Sequence, residues 1–406
     1  MSDRSADVLD LTRQLIAIES HRLAEGRERA VGRFLADWFT DRGIEVELQA
    51  AVEGRSNVIA RIPGGDGPSL MLCGHLDTVP GGDMPDAFAP RVVDGVLWGR
   101  GACDMKGAIA AMATTMAAIA SENAVHSPLS DVHEAESRRA GAASLAGDLL
   151  FVGTVDEETG GLGVKAAVAG GIRTDYAVVG EPTRLRVALA HKGACFVRIT
   201  LTGRGAHGSC PEEGVSAVSY AARIVRAIEE ELPPRLVVRT HPLLGSSTVS
   251  VGRICGGTQP NIVAETCEID VDRRMVPGDD GVVGELRSIV AAICDGVDGL
   301  AYDVAEMPLT SVVSHTPLET RCDAPVADAA IAAVQAAVGP ECATPVGVTY
   351  WTDGGHLAAG GIETVILGPG DIAHAHGPRE HVVIAELEAA VDIYREIVVR
   401  LLGRAV

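Results

Sequence analysis

The chain has 406 residues, of which 47% are hydrophobic and 22% charged, and its net charge is −21. A chain this long outgrows one ordinary core and implies two domains. The acidic surplus excludes nucleic acid and anionic membrane surfaces as partners, because both require a basic face.

The opening stretch MSDRSADVLDLTRQL has no basic segment followed by an apolar one, so no secretory leader is expected. No run of about 18 uncharged apolar residues follows, so no membrane span is expected. The nine cysteines (Cys73, Cys103, Cys195, Cys210, Cys255, Cys267, Cys294, Cys322 and Cys342) never take C-x-x-C spacing. Scattered and odd in number, they fit reduced thiols in the cytoplasm.

Helical periodicity covers 5–18 and 26–42. The apolar runs SNVIARI (56–62), SLMLCGH (69–75), LLFVGTV (149–155) and YAVVGE (176–181) read as strands. Among them DMKGAIAAMATTMAAIAS (104–121) reads as a helix opening on Asp104, a residue type that caps helices. Buried strands alternating with helices indicate an α/β fold with a mainly parallel sheet. Residues 122–147 are polar and aperiodic, a surface insertion in which His126 and His133 would be solvated.

The texture changes from about residue 187. CFVRITLTG (195–203) and ETCEIDVDRR (265–274) alternate apolar with polar residues, as half-exposed antiparallel strands do. With helices near 214–232 and 281–297 they predict a strand-helix-strand-strand-helix-strand order. The expected organisation is an α/β domain (1–186 and 299–406) interrupted by an inserted α+β, ferredoxin-like domain (187–298). ETVILG (363–368) and an amphipathic helix (384–402) close the first domain.

Titratable residues gather where apolar strands end. His75 and Asp77 end one strand, Glu157 and Glu158 another, and Glu181 a third, while Asp104 follows the turn WGRGACD. Near the C-terminus, GPGDIAHAHGPREH (368–381) offers His374, His376 and His381. Active sites of open parallel sheets lie at the carboxyl ends of the strands. Singly, each residue reads better as a cap, a turn residue, a surface acid or an ordinary loop histidine. Together, imidazole nitrogen and carboxylate oxygen suit zinc or cobalt. Three acidic ligands and a bridging hydroxide would neutralise two Zn²⁺, one further Glu could move a proton, and Asp77 is placed to hold the second nitrogen of His75.

GHLDTVP (74–80), GRGACDMKG (99–107), DEETGG (156–161), GEPT (180–183) and GPG…AH (368–376) resemble, in this order, the co-catalytic zinc hydrolases. That family contains acetylornithine deacetylase, succinyl-diaminopimelate desuccinylase, aminoacylase and glutamate carboxypeptidase. The resemblance implies that His75 and Glu181 hold one zinc, Glu158 and His376 the other, and that Asp104 bridges them ahead of a cis peptide. Glu157 would be the general base and Asp77 would orient His75. His376 is preferred to His374 because the family pattern has an acid four residues on, and Glu380 fits.

HKGACFVRITLTGRGAHGSCPEEGVSAV (191–218) is similar to the start of the family's lid and dimerisation domain. The resemblance implies that His207 stabilises the oxyanion, in the partner subunit's site, and that Asn261 and Arg274 bind the substrate carboxylate. Arg273 is a rival to Arg274, and Gly370 would let backbone approach the substrate. YWTDGGHL (350–357) departs from the pattern: Asp353 stands where acetylornithine deacetylases carry Glu. The expected activity is hydrolysis of an N-acyl amino acid by a homodimer, with Co²⁺ able to replace Zn²⁺. A desuccinylase, a dipeptidase or carboxypeptidase, and a catalytically silent relative remain the alternatives.

Overall fold

The computed structural model describes residues 4–125, 145–307 and 314–403. Most of the expected insertion, with His126 and His133, lies outside the described residues. The chain divides into two compact units, Met1–Ala190 with Glu319–Gly347 and Thr352–Val406, and His191–Leu318 with Val348–Trp351.

The first unit is built on a mixed sheet. Its strands lie in the order Glu45–Val52, Arg55–Ile62, Leu149–Thr154, Leu70–His75, Tyr176–Val179 and Glu363–Ile366, followed by the segment at Ala188. Leu149–Thr154 through Glu363–Ile366 are parallel neighbours, and the flanking pairs are antiparallel. Every residue of Leu70–His75 is buried. Successive side chains of a strand point to opposite faces, so both faces of this strand are covered. The helices Arg4–Ala17, Lys106–Val125, Pro325–Val338 and Ile384–Leu402 pack on one another beside it through residues such as Leu15, Ile109, Val334 and Ile397. Ala110, Ala111 and Ala113 interleave with Ile109, Met112, Met116 and Ile119 on the buried side of the helix Lys106–Val125. The edge strand Glu45–Val52 is not among the expected elements. Its EVELQ alternation is visible in the sequence, but its burial is slight.

The second unit pairs its strands antiparallel in the order Thr248–Gly256, Thr266–Met275, Gly193–Thr202, Ala301–Glu306. Val197, Ile199 and Leu201 alternate inward, and so do Cys267, Ile269 and Val271. They face the stripe Ala217, Ala221, Ile224, Ile228, Leu232 and Leu236 of the helix Ala217–Leu236, beside the helix Val282–Cys294. A boundary at 298 would cut off Ala301–Glu306, which hydrogen-bonds to Gly193–Thr202; the unit therefore runs on to Leu318. Thr248–Gly256 is an edge strand, largely exposed, with Ile254 in the open.

Candidate active site

Three parallel strands deliver their chain exits to one edge of the first unit's sheet. Leu70–His75 ends on His75, which lies opposite Thr154, and Cys73 lies opposite Val179. Glu157 and Glu158 follow Thr154, and Glu181 follows Val179. Asp104 precedes the helix Lys106–Val125 and its peptide bond to Met105 is cis. Its carboxylate faces imidazoles and does not cap the helix. His376 arrives on the loop before His381–Val383.

These side chains converge. Ligand atoms of His75, Asp104 and Glu158 lie within 4.8 Å of one another, as do those of His75, Glu157 and Glu181. His75 Nδ1 is 3.0 Å from the main-chain oxygen of Asp77. A carbonyl only accepts, so this nitrogen carries the proton. In the neutral ring Nε2 is then a lone pair, yet it faces Asp104 Oδ1 at 2.9 Å and Glu181 Oε1 at 3.7 Å. His376 Nε2 faces Asp104 Oδ2 at 3.2 Å and Glu158 Oε2 at 3.1 Å. A lone pair aimed at carboxylates is repelled unless a proton or a metal ion stands between them. Glu158 Oε1 is buried without a hydrogen-bond partner. The donor set therefore fits two cations that share Asp104.

The electrostatics agree. Burial pushes the Glu157 carboxyl well up, and the charges of Glu181, Asp353 and Glu158 push it further. Burial, then Asp104, raises Glu181 as well, and the same two causes raise Glu158. Burial would lower His75, but its bond to Asp104 overrides this and holds it well above the usual histidine range. Bonds to Asp104 and Glu158 push His376 up to about 10. Buried carboxylates that repel one another this way need compensating cations.

Asp77 departs from expectation. Its carboxylate Oδ1 stands 3.6 Å from His75 Nδ1, beyond hydrogen-bond reach, and its own carbonyl takes the ring proton instead. The carboxylate accepts the N–H groups of Glu157, at 3.2 Å, and Glu158, at 3.0 Å. Asp77 thus orients all three residues, the histidine through its backbone.

Glu380 does the same for Asp104. Its Oε1 accepts the N–H groups of Gly101 (2.9 Å), Cys103 (3.2 Å) and Asp104 (3.2 Å), and Oε2 pairs with the buried Arg100. Removing one partner of a buried pair leaves the other charge stranded. Glu380→Gln is expected to destabilise the fold by about 3–5 kcal/mol. The check is urea unfolding of both proteins at matched metal content; an unchanged midpoint would show that the pair contributes nothing.

The profile of peptidase family M20/M25/M40 matches residues 71–400. The chain belongs to this family. It is 32% identical over 375 residues to the acetylornithine deacetylase of Myxococcus xanthus, covering 90% of this chain and 87% of that protein. The acetylornithine deacetylase of Proteus mirabilis is 29% identical over 405 residues, at 96% and 95% coverage. A dinuclear metal-binding M20 peptidase from Bacillus subtilis shares the fold with a TM-score of 0.70 at 17% identity, covering 99% of each chain. This M20 chain is accordingly a hydrolase of amide bonds.

Other expected residues of the M20 hydrolase are placed as follows. Gly370, at φ +90, donates its N–H to Glu386, and a Cβ there would meet Cys103 Sγ at 2.8 Å. His374 packs against His381 with ring centroids 4.0 Å apart and the planes tilted by 31°, and it is in neither group of metal-ligand candidates. Asp353 is buried; Oδ2 accepts from Thr154 Oγ1 at 2.6 Å, Oδ1 has no partner, and burial raises its carboxyl to about 6.

In the second unit, His207 Nδ1 accepts the Ser209 N–H at 3.2 Å, which leaves the ring proton on Nε2. The Asn261 carbonyl accepts the Gly208 N–H at 2.7 Å, so the two segments are zipped together beside a cavity of about 760 Å³. Arg274 is gripped by Asp272 through Nε and Nη2, at 2.9–3.2 Å, and lies 4.6 Å over Trp351. Arg273 is fully buried against Asp279, 2.8 Å away, which commits it to the unit's interior. Glu28, Arg55 and Arg100 belong to the site's surroundings but escaped the sequence reading, since nothing in their local pattern marks them.

Proposed function

We propose that this M20 hydrolase uses two zinc ions to cleave the amide of an N-acyl amino acid, in the manner of an acetylornithine deacetylase. The observation that carries this reading is the pair of imidazole nitrogens, each aimed at the shared Asp104 carboxylate and at one glutamate of its own. His75 and Glu181 would hold one ion, His376 and Glu158 the other, and Asp104 both. Two zinc ions, or cobalt in their place, would supply a hydroxide at neutral pH and polarise the scissile carbonyl.

The chain's own residues do the rest. Glu157, buried and outside both ligand sets so defined, takes the proton of the attacking water and hands it to the leaving amine. Burial keeps its carboxyl basic enough for that exchange. His207, with its proton on Nε2, is a donor for the oxyanion, a contribution worth roughly 3 kcal/mol. Arg274 and Asn261 would receive the substrate carboxylate, since a guanidinium fork suits it; Arg274 would exchange its present partner Asp272 for the substrate. Gly370 is not given a substrate contact in this reading, because Cys103 fills the space beside it and Glu386 holds its N–H.

The reading includes a homodimer, which is supported by the open edge of Thr248–Gly256 that a second copy would cover. His207 would then serve the partner subunit's centre. Among the described residues no helix is long and apolar enough to cross a membrane, and all nine cysteines are free, which supports a reducing, cytoplasmic setting. The likeness to the Bacillus subtilis peptidase keeps short peptides as the second substrate class.

The test is amine release from N-acetylornithine, other N-acetyl amino acids, N-succinyl-diaminopimelate and dipeptides, with and without chelator. Chelator-sensitive release from N-acetyl amino acids is expected. Turnover of dipeptides alone would replace deacylation by peptidase activity, and turnover without metal would overturn the metal reading.

A further inference from the structure

We infer that Glu28 and Arg55 form a positioning clamp for the segment that carries Glu157 and Glu158, a role that rests on the functions proposed for those two residues. Every main-chain N–H from Val155 to Gly161 is accounted for. Asn57 Oδ1 accepts that of Val155, at 3.2 Å, and Glu28 Oε1 accepts that of Asp156, also at 3.2 Å. Asp77 takes those of Glu157 and Glu158, and the Asp156 carbonyl takes those of Thr159, Gly160 and Gly161. The loop is thus held from two directions, by Asp77 and by Glu28.

Asp156 is the pivot. It sits at φ +70, in the left-handed region that few residue types other than glycine, asparagine and aspartate enter, and its carboxylate is anchored there by two donors. Its Oδ1 accepts from Arg55 Nη1 at 2.9 Å and from Thr159 Oγ1 at 2.9 Å. The same Nη1 binds Glu28 Oε1 at 2.9 Å and Oε2 at 3.2 Å. One buried nitrogen therefore keeps two buried carboxylates together that would otherwise repel. Arg27 adds only a 3.8 Å contact from a more exposed position. A cavity of about 40 Å³ bordered by Glu28, Arg55, Asp77, Asp156 and Glu158 separates the two anchors. It has room for water, so a released loop has somewhere to move.

Displacing the base and one ligand by about 1 Å should lower kcat and leave substrate binding nearly alone. Arg55→Gln is expected to reduce kcat by about 10²-fold with KM within about threefold of wild type. Cobalt binding at one of the two sites should weaken by about tenfold, with a changed visible spectrum. Because a single nitrogen makes all the contacts, Arg55→Lys should restore kcat to within about tenfold of wild type. A folded Arg55→Gln protein with wild-type kcat and cobalt spectrum overturns the clamp, and so does a Lys variant as impaired as the Gln one. Should Arg55→Gln not fold, Glu28→Gln keeps an acceptor for the Asp156 N–H while loosening Arg55. It is expected to lower kcat about tenfold at constant KM, and wild-type behaviour would overturn the inference. If the wild type cleaves no substrate, the proposed function fails by itself. The cobalt titration still reads the clamp, and an unchanged spectrum in Arg55→Gln then refutes it.

Discussion

Glu157→Gln is expected to lower kcat by about 10³-fold, within the usual range for a lost general base and equal to about 4 kcal/mol of barrier. Gln has the same shape and hydrogen-bonds through the same main-chain N–H to Asp77, so the loop is expected to keep its place. What vanishes is the only chemistry the position supplies, an acceptor for a proton. Since Glu157 is assigned no metal, zinc content and KM should stay near wild type. Steady-state kinetics with metal analysis on the same samples decide the matter. Turnover within about threefold of wild type would remove Glu157 from the mechanism, and loss of metal would make it a ligand. Burial first, and then the charges of Glu181, Asp353 and Glu158, raise its carboxyl, which supports the proposed role as a base.

The second large effect concerns Asp104. Asp104→Asn keeps the side chain's size but removes the charge that two imidazoles and two cations would share. The protein is expected to lose stoichiometric binding of at least one metal ion and to fall to background activity. Chelation of the wild type should act similarly and also lower Tm. A ligand at 100 times its Kd stabilises by about 2.7 kcal/mol, which for a chain of this size amounts to a few degrees. Metal analysis after dialysis, together with calorimetry of loaded and stripped protein, provides the check. Two ions per chain held at wild-type affinity by Asp104→Asn would dismiss the shared-carboxylate arrangement. The expected sign follows from the site itself. Without metal, Glu158 and Glu181 crowd Asp104 in a buried space, opposed by the imidazoles of His75 and His376.

Much of the first unit was legible along the chain because local patterns report burial. Leu70–His75 reads as a strand because no polar residue interrupts it until His75, and it ends where water or a cation must begin. The same logic placed Glu157, Glu158 and Glu181 at neighbouring strand ends before their pairing was known. Glu45–Val52 escaped because its EVELQ alternation is short and belongs to an edge strand that buries little. The second unit's strand-helix order, its last strand included, followed from alternation too; what did not was that strand's place beyond 298, since Ala301–Glu306 buries little besides Val304.

What the sequence determined by itself is the inventory: which residues would be buried, where the apolar runs stop, and which metal-binding chemistry waits at their ends. Periodicity carries that information because it depends on near neighbours alone. Only the tertiary structure decided who serves whom. Asp77 turned its carbonyl to His75 and its carboxylate to the next loop, an arrangement no motif distinguishes from the expected one. Glu28 reaches Asp156 across 128 residues of chain, Arg55 across 101, and Glu380 reaches Asp104 across 276. Buried N–H groups and charges must find partners wherever folding places them. The partners of this site are therefore set by how distant loops meet, which the linear pattern of residues does not encode locally.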